Sequence, residues 1–154
     1  MTTDDKGIEH GLKRSPKWPA VMKDYLKKNP ACAVCGKTDA VNVHHVAPFE
    51  FVINFGRPEL ELDEKNLITL CETESGKPEE NHHIWVGHGG NFKKANLNVR
   101  EDAQKYHGQT MQQLKEDKEF MDEITTKSFP PVDQLTEEQK KTFIDWLNKT
   151  YPKI

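Results

Sequence analysis

The chain has 154 residues, of which 31% are charged and 34% are hydrophobic, and its net charge is −3. This length fits one domain or a small core with added helices, and so polar a composition favours additional stabilisation by a metal ion. No apolar run approaches the roughly 20 residues that a transmembrane helix needs, and the N-terminal residues show no signal-peptide pattern. We therefore expect a cytoplasmic protein with no membrane contact, in which the three cysteines are reduced.

The charged residues are unevenly distributed. Residues 6–28 carry seven basic and two acidic residues, whereas residues 59–80 carry eight acidic and two basic residues. Such segregation can give an acidic protein a basic face, although an ordinary solvated helix surface explains the same pattern. The acidic segment is expected to face away from any polyanionic partner.

The N-terminal half is predicted to contain one helix and two strands. A helix follows the polar N-terminal residues, with Ser15 as its cap, Pro16 at its first position and Pro30 beyond its end. The cysteine-flanked segment 31–40 is predicted to be a tight turn. Strands are predicted at residues 41–46 and 66–71, with a long connection between them.

The C-terminal half is predicted to be helical. Residues 82–90 can form one or two helical turns that end at glycines. Residues 101–126 are predicted to form a helical stretch that Gly108 divides. After a proline-rich linker, Thr136 and Gln139 match the capping box of a final helix.

The three cysteines favour a metal site. Cys32 and Cys35 form a CxxC turn, whose spacing lets two thiolates bind one zinc ion, and Cys71 ends the second predicted strand. His82 can complete a Cys3His site, although ten residues separate it from Cys71, more than is usual in a compact zinc site. Three inert thiols in a reduced protein are the alternative.

Five of the seven histidines fall in two short stretches: His44, His45, His82, His83 and His88. Consecutive strand residues point to opposite faces, so the adjacent pair in the first strand calls for an explanation. Three features follow one another along the chain: a strand with two histidines, a second strand that opens with Asn66, and a helical turn with a further histidine. Together they form a composite pattern.

This pattern, VHHVAP, NLITLC and NHHIWVGHGGNF, resembles the HNH endonucleases, especially small phage-encoded members whose motif ends in CHxxxGH followed by a Gly-Asn or similar pair. The resemblance covers about residues 15–103. It implies an α+β fold with a ββα-metal, treble-clef-like core, a structural zinc site, and flanking N- and C-terminal helices. The chain then divides into a polar N-terminal arm (1–14), an HNH nuclease domain (15–108) and a C-terminal helical extension (109–154).

The resemblance implies a role for each motif residue. His44 stands at the first ligand of a catalytic divalent cation, and His45 stands at the general base. Because the strand ends at this pair, the two side chains need not alternate strictly. Asn66 matches the residue that braces the loop holding the base, or in some members binds the metal, and His83 matches the helical ligand. The fourth structural zinc ligand is a cysteine in the family and His82 here.

His88 is harder to place. It lies five residues after His83, about 140° around an ideal helix, so it can ligate the same ion only if the helix bends at Gly87. A contact with the scissile phosphate and an ordinary surface histidine are the alternatives.

The implied activity is metal-dependent hydrolysis of DNA phosphodiester bonds, by nicking or by double-strand cleavage. A neutral imidazole can take the proton of the attacking water, and Mg, Mn, Ni, Co or Zn can supply the Lewis acid. In the family the core docks on the minor groove with weak sequence specificity. Phage relatives commonly act beside the genome-packaging terminase, which makes a terminase or portal protein a candidate partner.

Basic residues on both sides of the motif are the candidate phosphate contacts: Lys13, Arg14, Lys17, Lys23, Lys27, Lys28, Lys93, Lys94 and Arg100. Two alternatives to the nuclease are open, a catalytically silent zinc-stapled module that binds DNA or protein and a phage assembly protein that keeps the motif as a scaffold. The intact histidine and asparagine motif favours the enzyme, because a binding module needs only the zinc ligands. The sequence leaves the oligomeric state open.

Overall fold

The computed structural model describes residues 8–9, 12–72 and 81–152. In this part of the chain, helices surround a small antiparallel strand pair, which confirms the predicted α+β class. The strands are β1 (Ile8–Glu9), β2 (Leu12–Lys13), β3 (Val41–His45) and β4 (Leu67–Cys71). The helices are α1 (Trp18–Lys28), α2 (Phe49–Asn54), α3 (Val99–Lys105), α4 (Met111–Glu116), α5 (Lys118–Lys127) and α6 (Glu137–Thr150), with a π-helix at His83–Gly87. None of the described helices is long and apolar enough to cross a membrane.

The central element is the antiparallel pair of β3 and β4. Its register sets Val41 opposite Cys71 and His45 opposite Leu67. His44 and His45 both lie within β3, and they alternate as strand residues do, because His44 contacts the π-helix while His45 stacks on α1. The strand ends at this pair, as expected, and the two side chains nevertheless contact different elements.

Helix α1 begins later than the sequence predicts. Its first residue is Trp18, and Lys17 rather than Ser15 is at the N-cap position. Ser15 belongs to the turn before the helix, where its hydroxyl accepts from the backbone N–H of Lys17 at 3.2 Å and its carbonyl accepts from that of Trp18 at 3.0 Å. The backbone N–H of Ser15 donates to the carboxylate of Glu61 at 3.1 Å. The C-terminal end is as expected, with Lys28 as the last helical residue before Pro30.

The long connection predicted at residues 49–65 contains secondary structure that the sequence analysis did not predict. It contains α2 and two 3-10 turns, Pro58–Glu61 and Glu64–Asn66. The ring of Phe51 in α2 packs against Phe143 of α6 with centroids 5.2 Å apart, inside a buried cluster. Tertiary packing, rather than local periodicity, stabilises this short helix.

The C-terminal helices share the cores of the rest of the chain. Gly108, with φ of +86°, separates α3 from α4 as predicted, and a second break at Asp117 separates α4 from α5. The predicted capping box of Thr136 and Gln139 is present at the start of α6. One buried cluster joins β4 and the cysteine turn to α3, α4 and α5, so the boundary drawn at residue 108 does not separate two hydrophobic cores.

Asn66 ties the connection to the central strands. Its side-chain oxygen accepts from the backbone N–H of Ala47 at 2.8 Å, and its amide nitrogen donates to the carbonyls of Ala47 and Leu60, both at 3.1 Å. All three residues are essentially inaccessible to solvent. One buried side chain thus fixes both ends of the segment that contains α2.

Replacing Asn66 by Ala leaves three buried backbone groups without these partners, so we expect the free energy of unfolding to fall by about 2–4 kcal/mol. Chemical denaturation measures the change. Asn54→Ala is the matched control, because it removes a single exposed bond to the carbonyl of Glu50. Equal stability of the two variants would show that Asn66 does not hold this segment.

Candidate functional site

Four predicted ligands converge in one cluster. Cys32 and Cys35 lie in the turn after α1, Cys71 ends β4, and His82 directly precedes the π-helix. One potential ligand atom from each lies within 4.8 Å of all the others. The ten intervening residues therefore do not keep His82 from Cys71, since its Nδ1 lies 3.2 Å from the Cys71 sulfur.

The cysteine cluster has the chemistry of a metal site. His82 Nε2 donates to the carbonyl of Gln109 at 2.9 Å, which leaves Nδ1 as the lone-pair atom facing the sulfurs. A hydrogen bond from the Cys71 thiol, helped by His82, lowers the pKa of the Cys32 thiol despite its burial. Three sulfurs and one imidazole nitrogen are a donor set that can hold a metal ion.

Cys71→Ser should abolish metal binding at the cysteine cluster and lower the melting temperature, because a structural ion contributes folding energy directly. Metal analysis of the purified protein and thermal unfolding test this. His82→Cys is expected to retain the ion, since it supplies a fourth thiolate. Full stability of Cys71→Ser, together with wild-type protein that purifies without metal, would show that the cluster is only a set of buried thiols.

A second cluster consists of His44, His83 and His88, whose ring nitrogens also lie within 4.8 Å of one another. His83 Nε2 is 3.1 Å from His44 Nδ1. Two nitrogens that bind one ion at about 2.0–2.1 Å each lie about 3 Å apart, so this separation suits shared coordination. The three residues are buried.

The outer nitrogens of two of these rings are already engaged. His83 Nδ1 donates to the carboxylate of Glu72 at 2.6 Å, and His88 Nδ1 donates to the carbonyl of Lys94 at 2.9 Å. Each ring therefore presents its Nε2 lone pair toward the cluster, which is the tautomer that metal ligation requires.

His88 joins the cluster from just beyond the π-helix. It is the residue that follows the last position of that helix, and its backbone N–H donates to the carbonyl of Ile84 at 3.3 Å. The rings of His83 and His88 are 5.0 Å apart, and each packs against His44. The separation of 140° in an ideal α-helix therefore does not apply here, and the alternative of a surface histidine is wrong because His88 is buried.

Gly87 is required by this close approach. A Cβ atom there would lie 3.2 Å from the His44 ring and 3.1 Å from a methyl group of Leu70. The absence of a side chain lets the π-helix pack directly on β3. A residue with a Cβ atom would require His44 or Leu70 to move by a few tenths of an ångström.

Burial and charge interactions shift the pKa of two of these histidines and that of the nearby Glu72 carboxyl. Burial, reinforced by neighbouring positive groups, lowers the pKa of His44 and of His88 well below the usual value. Burial works to raise the pKa of Glu72, but its hydrogen bond and charge interaction with His83 outweigh this and hold the pKa at about 2. The cluster thus combines three imidazoles with one nearby negative charge.

His45 lies beside this cluster but belongs to a different environment. Its Nε2–H donates to the backbone carbonyl of Glu61 at 2.8 Å, which leaves Nδ1 able to accept a proton. The indole of Trp18 stacks on its ring with centroids 4.5 Å apart. Burial and the positive charge of Arg14 lower the pKa of His45 to about 3, so the ring is neutral at neutral pH.

Both β3 histidines line one cleft of about 380 Å³. Residues from both faces of β3 contribute to it, so the cleft follows the edge of that strand. The guanidinium carbon of Arg14 lies 4.2 Å above the ring of Phe49 in the cleft wall, and Lys93 lies at the rim. Metal-binding donors, a neutral imidazole and positive charge thus meet in a single cavity.

The remaining candidate phosphate contacts are more scattered. Lys17, Lys23 and Lys27 are exposed on or beside α1, and Lys28 pairs with Glu64 at 2.7 Å. Lys94 is half-buried, and Arg100 donates to the carbonyls of Lys65 and Leu67. The side chain of Lys13 lies outside the described residues.

Two acidic residues near the site are absent from the residues that the sequence predicts for it. Glu61 is buried against Arg14, and Glu72 contacts His83, so these two members of the acidic segment pair with residues that line the cleft. The sequence contains a signal for Glu72. It directly follows Cys71, just as His83 directly follows His82, so both residues are chain neighbours of predicted cysteine-cluster residues.

Comparison of the chain with protein-family models, with curated proteins and with solved structures finds no significant match.

Proposed function

We propose that the chain is a metal-dependent HNH endonuclease that hydrolyses DNA phosphodiester bonds. The observation that supports this most is the meeting of three imidazoles, His44, His83 and His88, with the neutral His45 at one cleft. In this proposal β3, β4 and the π-helix are the ββα-metal core. The cysteine cluster is the structural zinc site beside it.

His45 is the proposed general base. The carbonyl of Glu61 fixes its Nε2–H, and Trp18 limits the rotation of the ring, so Nδ1 is held as the acceptor for the proton of an attacking water. Asn66 supports this geometry indirectly, because it anchors Leu60, the residue before Glu61. Such fixed orientation is what general-base catalysis requires.

His44, His83 and His88 are the proposed ligands of the catalytic cation. A divalent cation held there supplies Lewis-acid stabilisation of charge on the phosphate and the leaving oxygen. Three nitrogen donors favour Mn, Co, Ni or Zn over Mg by ligand preference. Arg14 adds positive charge in the same cleft, where it can contact a phosphate.

A binding module without catalysis is the competing function. The cysteine cluster alone would suffice for such a module, whereas the buried histidine cluster would then be a cost without a use. Three buried imidazoles that converge on one point, beside a fourth whose ring is held in a fixed orientation, are the arrangement that favours the enzyme.

His45→Ala should reduce the nicking of supercoiled DNA by about 10²–10⁴-fold while the protein retains divalent-metal binding, because it removes the base and not a ligand. His44→Ala should lose both DNA nicking and divalent-metal binding. Plasmid relaxation with Mg²⁺, Mn²⁺ or Ni²⁺ and calorimetric metal titration measure the two effects. His107→Ala, at an exposed position, is the control.

The opposite pattern, with metal affinity lost in His45→Ala and cleavage kept in His44→Ala, would mean that the two roles are exchanged. A wild-type protein that binds DNA but cleaves none with any of these cations would favour the binding module.

The basic residues can be separated by their contribution to DNA binding. Lys93 lies at the cleft rim, whereas Lys27 and Lys28 lie at the far end of α1 and do not line the cleft. In a His45→Ala background, which prevents cleavage, Lys93→Ala should reduce the slope of log affinity against log salt by about 0.9. The double substitution of Lys27 and Lys28 should change the slope less. A larger effect of the double substitution would place the duplex on α1 instead.

A further inference from the structure

Two pairs of consecutive residues connect the cysteine cluster to the histidine cluster. Cys71 and His82 belong to the first cluster, and the residue after each of them, Glu72 and His83, meets the other beside the second. The backbone N–H of His82 also donates to the Cys71 sulfur at 3.3 Å. Each partner in the Glu72–His83 contact is therefore joined by a peptide bond to a member of the cysteine cluster.

The carboxylate of Glu72 is itself fixed by β3. Asn42 donates from its side-chain amide to the same oxygen, Oε1, at 3.1 Å. The backbone N–H of Glu72 donates to the carbonyl of Ala40 at 2.7 Å. Since Asn42 and His44 are two residues apart in one strand, they share a face, and Glu72 lies over the face that carries a candidate ligand.

We propose that Glu72 is a positioning residue for His83 and sets the affinity of the histidine cluster for its cation. The inference rests on the proposed function in one respect, that His83 binds a metal ion. A carboxylate that accepts from Nδ1–H fixes the tautomer and the ring plane of a histidine ligand and raises the basicity of its Nε2. The 2.6 Å contact is the geometry this role requires.

The experiment measures metal affinity instead of cleavage. Protein that carries one equivalent of zinc is titrated with Ni²⁺ by calorimetry, and its zinc content is measured before and after. Glu72→Ala should bind Ni²⁺ about 10–100-fold more weakly than wild type, with unchanged zinc content. Glu72→Gln should recover part of the loss, because it keeps an oxygen acceptor for His83 but removes the charge.

Glu64→Gln is the matched control. It removes the same charge from a half-exposed residue that pairs with Lys28 instead of a histidine, so its Ni²⁺ affinity should match wild type. His83→Ala defines the complete loss of a ligand.

Wild-type Ni²⁺ affinity in Glu72→Ala would overturn the proposal. A loss as complete as that of His83→Ala, with no recovery in Glu72→Gln, would also overturn it, because Glu72 would then be a ligand itself. Lost zinc in both Glu72 variants would assign Glu72 a purely structural role. The nuclease proposal fails separately, if wild type binds Ni²⁺ in a Glu72-dependent manner but cleaves no DNA.

Discussion

The register of β3 against β4 is the constraint on which the rest of the site depends. It places Cys71 at one end of the ladder and His45 at the other, so a five-residue strand pair spans from the cysteine cluster to the cleft. Alternation along β3 then sends His44 toward the π-helix and His45 toward α1. A slip of one residue would exchange the two histidines and leave the π-helix facing the wrong side chain.

A two-stranded sheet is marginal in water, so this register must be stabilised by what covers the two faces. One face packs with α3, α4 and α5, through Ile68 and Leu70. The other packs with α1 through Val43 and Leu67, and the Tyr25 hydroxyl donates to the Leu67 carbonyl at 2.9 Å. The polar composition therefore hides substantial hydrophobic clusters, and a metal ion is not the sole source of stability.

The elements that the sequence predicts well are those defined by local signals. The bounds of β3 and β4 lie within one residue of the predicted ones, and α6 begins at a capping box that its own residues form. The start of α1 lies two residues after the predicted one, because Pro16 and Lys17 form a turn in which Ser15 accepts from the backbone N–H groups of Lys17 and Trp18. Helix α2 was missed because its packing partners lie in α6.

The candidate site likewise has one part that the sequence predicts and one part that it does not. The grouping of the cysteines with His82 could be predicted, because two of the four are three residues apart and each of the others ends or begins an element. The place of His88 could not be predicted from ideal helix geometry, because it depends on a π-helix that packs on β3 through Gly87. Tertiary contact changed the local periodicity there.

Three pairs of adjacent residues supply most of the site, and the two residues of each pair contact different parts of it. Strand geometry turns consecutive side chains about 180° apart, which separates the candidate ligand His44 from the candidate base His45. The pairs Cys71–Glu72 and His82–His83 direct one residue to the cysteine cluster and the next to the histidine cluster. Adjacent polar residues, which look redundant in the sequence, thus place two chemically different centres within one residue of each other along the backbone.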